Sequence, residues 1–180
     1  MRAITPWFWQ FDKEHGQLEL HMGEVHFAIA YKRRLLQQNL PSKRAFSISD
    51  ARVYQETADY LEEYSTLNVN EQLLAAIHVA AVSAFAKPAM PQSWYFKFGD
   101  IESWPPEYRA CCLDSGLQLG EFLIIEQDDR SSLCLLLDEK MELSPAKELR
   151  RFDIIKVLND RLLESNNHPF PKASDIHSLA

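Results

Sequence analysis

Three cysteines, six histidines and twenty aromatic rings set the chemistry open to this 180-residue chain. Cys111 and Cys112 are neighbours. Successive strand residues point to opposite faces, so one core thiol and one surface thiol are expected, not a redox pair. An odd cysteine count without a Cys-x-x-Cys pair fits reduced thiols. His21 and His26 lie five apart around Gly23. Two imidazoles without a third ligand make a poor metal site. His78 sits inside an apolar helical run and reads as a satisfied core histidine. Ser144-Pro145-Ala146-Lys147 matches the Ser-x-x-Lys pattern of penicillin-recognising enzymes but lacks its companion motifs. Asp128, Asp129, Asp138 and Glu139 fall in turns, and no carboxylate pair stands out as acid and base. The five glycines are unclustered, so no loop is built to cradle phosphate. The residue inventory therefore predicts no catalytic set, no metal and no cofactor, and a protein that is not an enzyme.

What the chain does supply is binding chemistry. A short peptide needs aromatic anchors and a few placed charges. Trp7, Trp9, Leu20, Trp94 and Phe96 are candidates for the first, and Lys87, Lys97, Arg33 and Arg34 for the second. Net charge is −7, unevenly spread. Residues 1–90 hold nine Lys/Arg against ten Asp/Glu, and residues 91–180 hold ten against sixteen. Yet Lys32, Arg33, Arg34, Lys43, Arg44 and Arg52 face only Asp50 among the acids around them. A basic stretch on an acidic protein suits an acidic peptide better than a long nucleic acid, so no nucleic-acid partner is expected. No apolar run approaches the roughly 20 residues needed to span a bilayer, and no membrane partner is expected. The first residues lack the apolar core of a signal peptide, which predicts a cytosolic protein. No heptad pattern supports a coiled-coil dimer, and a monomer is expected.

The elements that must position these residues divide at 86–99. Pro88 and Pro91 cannot continue a helix. Before them, Trp7, Trp9, Leu18, Leu20 and Phe27 alternate with polar residues and predict an antiparallel meander with one aromatic face. Val53, Tyr54, Thr57, Leu61 and Tyr64 recur at helical steps, and a second helix through Leu73–Phe85 has little polar face and should be buried. After the prolines, strands are expected at Trp94–Phe98, Arg109–Leu113, Leu119–Glu126, Ser131–Leu137 and near Met141–Leu143. The two continuous apolar runs among them predict a sheet that curls into a small barrel or sandwich. Ile154, Ile155, Leu158 and Leu162 predict a closing helix. The fold class read from this is α+β: an N-terminal α/β domain over 1–90, a C-terminal β-barrel-like domain over 91–164, and a flexible tail over 165–180.

At the proline segment the chain resembles a known family. Lys87-Pro88-x-Met90-Pro91-x-Ser93-Trp94-x-Phe96 is similar to a motif of the ZapC family of Z-ring-associated cell-division proteins. So are the Trp7-x-Trp9 opening and Ile155-Lys156-x-x-Asn159-Asp160-Arg161-Leu162. The resemblance covers residues 7 to 163. It implies a non-enzymatic cytoplasmic protein at the mid-cell division ring. Such a protein binds the tubulin-like GTPase FtsZ, bundles its polymers, stabilises the ring and lowers GTP turnover. It also implies engagement of the acidic, apolar C-terminal tail of FtsZ through a hydrophobic pocket with basic surroundings. Gln92 stands where family members often carry lysine. The competing expectation is a small-molecule-binding protein or enzyme using a pocket in the β domain.

Overall fold

Alternation at the N-terminus produces the expected meander. The computed structural model describes residues 6–165 and 167. β1 (Phe8–Asp12), β2 (Gln17–Met22) and β3 (Val25–Ala28) pair antiparallel, and β4 (Lys43–Ala45) adds to β1. The order is β3-β2-β1-β4. Register places Trp9 opposite Leu20 and Phe11 opposite Leu18, which builds one apolar face. Gly16 and Gly23 take positive φ in the two tight turns, as a residue without Cβ can. α1 (Ile48–Tyr64) opens on a reciprocal cap. The Asp50 N–H donates to Ser47 Oγ at 3.1 Å, and the Ser47 N–H donates to Asp50 Oδ2 at 2.9 Å. α2 (Val69–Phe85) is buried on nearly all sides from Ala75 to Val82, as its apolar sequence requires.

Two compact units result: residues 1–59 with 70–88, and residues 60–69 with 89–180. The second unit holds a sheet of β5 (Ala110–Asp114), β6 (Leu119–Gln127), β7 (Ser131–Leu136) and β10 (Ile154–Leu158) in the order β10-β7-β6-β5. A separate hairpin joins β8 (Lys140–Ser144) to β9 (Lys147–Arg150).

This corrects the expected barrel. The end strands β5 and β10 do not pair, so no sheet closes. Each free edge is instead covered by chain from outside the sheet. Leu163 exchanges two backbone bonds with Cys112 on β5, and the Gln92 N–H donates to Lys156 O on β10. The continuous apolar runs arise because both sheet faces are buried, which needs no closure. Cys111, Leu113, Phe122, Cys134, Leu136, Ile155 and Val157 share one cluster with Met141, Leu143 and Leu149 of the hairpin. Cys112 lies on the opposite face yet is 4% exposed, so both thiols are buried, not one.

The closing helix is also corrected. Ile154–Leu158 is a strand, with Ile155 and Val157 buried and Leu158 exposed at period two. It is followed by a 3-10 turn over Asn159–Arg161. Likewise Ser93–Tyr95 is a 3-10 turn, not the start of a strand.

Candidate functional site

The nine residues expected to bind do not form one cluster within one unit. Trp7, Trp9, Leu20, Arg33, Arg34 and Lys87 belong to the first unit, and Trp94, Phe96 and Lys97 to the second. In the first unit, Trp9 (1% exposed) and Leu20 (0%) are consumed by the core. The indole N–H of Trp9 donates to Asp50 Oδ2 at 3.1 Å. Arg33 is a structural cation. Its guanidinium donates to the carbonyls of Leu36, Gln37 and Gln38 and lies 5.3 Å over the Phe11 ring. Arg34 and Lys87 are exposed. Trp7 is half-buried, edge-to-face with Phe46 at 5.3 Å and with Tyr54 at 5.8 Å.

The second unit carries the more open surface. Trp94 and Phe98 are each 72% exposed, and Met90 is 80% exposed. Phe96 between them is 6% exposed and packs into the core cluster. That division follows from the local backbone. The 3-10 turn over Ser93–Tyr95 breaks the period of two, and the extended Phe96 then turns inward. Lys97 is exposed, 3.8 Å from Asp114, a pair too solvated to contribute much stability. Lys147 lies 5.4 Å over the Tyr95 ring.

Arg161 holds this segment in place. Its Nε donates to Ser93 O at 3.3 Å and to Phe96 O at 3.1 Å. Its guanidinium carbon lies 3.6 Å from the centroid of the exposed Phe98 ring. Its side chain is only 12% exposed and pairs with Asp160 at 2.5 Å. Three further bonds complete the clamp: Gln92 N–H to Lys156 O, Leu158 N–H to Ser93 Oγ, and Gly99 N–H to Asp160 O. A Cβ on Gly99 would meet the Leu162 carbonyl oxygen, so the two strands of chain approach at backbone contact. Residues 92–96 of the first motif and 156–161 of the last therefore form the two sides of one clamp within the second unit. Phe98 and Arg161 were not among the expected site residues. The signal for Arg161 lay in the last motif, but nothing local tied its side chain to the first.

The exposed rings on a fixed backbone suit docking. A cleft of about 780 Å³ in the second unit is lined by Trp104, Asp128, Asp129, Arg130 and Asp160 among others. Among the described residues no group of three or more His, Cys, Asp or Glu is placed to hold a metal. His21 and His26 face each other across β2 and β3, with ring centroids 5.3 Å apart. His78 is 3% exposed; its Nδ1 meets Leu74 O at 2.7 Å and its Nε2 accepts the Ala30 N–H at 3.3 Å. Burial holds the His78 imidazole below its usual range, against the opposing pull of the Leu74 carbonyl.

Comparison with known proteins gives a consistent result over the length of the chain. The family described as "Cell-division protein ZapC, N-terminal" matches residues 1–87, and "Cell-division protein ZapC, C-terminal" matches residues 88–168. The Cell division protein ZapC of Idiomarina loihiensis is 38% identical over 91% of this chain and 90% of its own. That of Aeromonas hydrophila is 34% identical over 87% and 88%. That of Photobacterium profundum is 32% identical over 90% and 91%.

Proposed function

The chain belongs to the ZapC family of non-enzymatic cell-division proteins, and from that premise we propose that it acts on FtsZ at the division ring. In this reading it is a cytoplasmic protein at mid-cell that binds FtsZ, bundles its polymers, stabilises the ring and lowers GTP hydrolysis. The contact is with the acidic, apolar C-terminal tail of FtsZ. The observation that carries this reading is the pair of rings Trp94 and Phe98, 72% exposed and presented by a backbone that Arg161 fixes. Exposed aromatic anchors on a rigid support lose little entropy on docking. Lys97 and Lys87, both exposed, supply the charge that an acidic segment would meet. Trp7, Arg33 and Arg34 of the first unit are proposed as a contact of that unit, with Trp9 and Leu20 in its core, and Phe96 acts from the core of the second unit.

Sedimentation of FtsZ polymers with GTP tests the whole reading, and the tail peptide tests its finer part. The protein is expected to pellet with polymers, to increase the pelleted fraction and to slow GTP turnover. It is expected to bind the isolated tail peptide and to lose FtsZ when that tail is deleted. Trp94→Ala and Phe98→Ala, both at exposed positions, should fold normally and bind about tenfold or more weakly. Absence from the pellet overturns the function. Undiminished binding to tail-deleted FtsZ moves the contact to the globular body and overturns the tail assignment alone.

A further inference from the structure

We propose that the free edge of β4, with the aromatic pocket beside it, is a docking site for an extended acidic segment of a partner protein that carries one large apolar side chain. β4 is the last strand of its sheet. Phe11 N–H donates to Ser42 O at 3.1 Å, and Phe46 N–H donates to Trp7 O at 2.9 Å. Residues 42, 44 and 46 therefore face β1, and Lys43 and Ala45 turn their N–H and C=O outward. Both are exposed, and among the described residues no strand pairs with that side. Natural edges are commonly covered or blunted, as both edges of the second unit's sheet are. This one carries a single lysine and no proline.

Ala45 also lines a cavity of about 380 Å³ with Trp7, Phe46, Ala51 and Tyr54. The three rings stand at steep angles to one another, 60° for Trp7 with Phe46, 89° for Trp7 with Tyr54 and 79° for Phe46 with Tyr54. They come from the residue before β1, the residue after β4 and α1, and the Phe46–Trp7 backbone bond fixes two of them. Ile48, 91% exposed, precedes Ala51 by three residues on α1 and continues the apolar strip out of the cavity. A sheet edge next to a side-chain pocket is the arrangement that receives an added strand: backbone bonds give affinity and the pocket selects the residue.

Charge sets the rest of the occupant. Residues 41–55 hold Lys43, Arg44 and Arg52 against Asp50 alone. That one acid is spent on Arg44, at 2.6 Å; the Lys43 ammonium lies 4.0 Å over the Phe8 ring and Arg52 is exposed on α1, so both keep their positive charge at the surface. An acidic flank complements them. The site lies wholly in the first unit and does not depend on the FtsZ reading.

The test uses the full protein, labelled for amide NMR, and a short synthetic peptide of Asp and Glu with one central Phe. Binding should shift the Lys43 and Ala45 amides and the Trp7 indole. Replacing the peptide's Phe by Ala should weaken binding about tenfold. Ala45→Pro removes an outward N–H that the sheet does not use and should weaken it about five- to tenfold. Arg52→Glu, on an exposed helix position, gives a second reading without touching the strand and should also weaken it. Peptide binding that leaves the Lys43 and Ala45 amides unmoved overturns the proposal, as does unchanged affinity in Arg52→Glu or in a folded Ala45→Pro protein. So does a lack of any binding at millimolar peptide.

Discussion

Asp50 shows how one side chain can join three elements. Its Oδ2 accepts from the Trp9 indole of β1, from Arg44 of β4 at 2.6 Å and from the Ser47 N–H that caps α1. Burial pushes its carboxyl up, but the bonds from Arg44, Ser47 and Trp9 outweigh it and leave the group below its usual range. A carboxyl depressed in the folded state contributes stability above its unfolded value, near 3.8, and that contribution is lost as pH falls through the lower folded value. Asp50→Ala leaves a buried indole N–H unpaired, and the cost expected is about 1–3 kcal/mol. Urea titration checks this: the variant should unfold at lower urea at pH 7 and should approach wild type as pH drops below about 4. Equal midpoints at pH 7 would show that Asp50 is not the junction. The cap joins residues three apart in the chain, Ser47 and Asp50. The bond to Trp9, forty-one residues away, was not legible in the sequence.

At the scale of elements, the turns at 93–95 and 159–161 seat the segment that carries Trp94 and Phe98. Gly99 is where they meet. Ala at this position puts Cβ against the Leu162 carbonyl oxygen, a backbone atom that cannot swing aside. Gly99→Ala is expected to lower stability by about 1–3 kcal/mol, and thermal unfolding reads it directly. An unchanged melting temperature would mean that segment 96–99 is not seated on 160–162. The sequence misassigned both turns for a common reason. Trp94, Phe96 and Phe98 alternate, and Ile154, Ile155, Leu158 and Leu162 recur at three and four, so each run fits a regular element. Short apolar runs do not separate helix from strand by periodicity alone. Pairing decided instead: Ile155 sits opposite Cys134 and Val157 opposite Ser132, in register with a strand already buried.

For the whole molecule, electrostatics is the testable level. A net charge of −7 opposes an acidic partner at long range, so local cations must carry the attraction. Lys87 is exposed at the end of α2, and its backbone N–H, not its ammonium, bonds Leu35 O. Lys87→Asp should therefore melt like wild type while binding FtsZ about tenfold more weakly. Wild-type binding should also fall with added salt, because exposed charges are screened within about 10 Å at 0.1 M. A charge-reversed protein that binds with unchanged affinity and salt dependence would place the contact elsewhere.

Read alone, the sequence determined the meander, both long helices, the four strands from β5 to β8 and the family. Each of these depends on local period, turn residues or motif spacing. It also determined that His78 would be a core residue, since an apolar surround on every side leaves no other place for it. Only the tertiary structure decided that the second sheet stays open, because closure depends on which edges pair and Leu163 and Gln92 take those edges first. It alone decided that Trp9, Leu20 and Phe96 are buried while Trp94 and Phe98 face solvent. Residue type cannot separate a ring that fills a core from one that waits for a partner. Burial is set by what the rest of the chain brings against it.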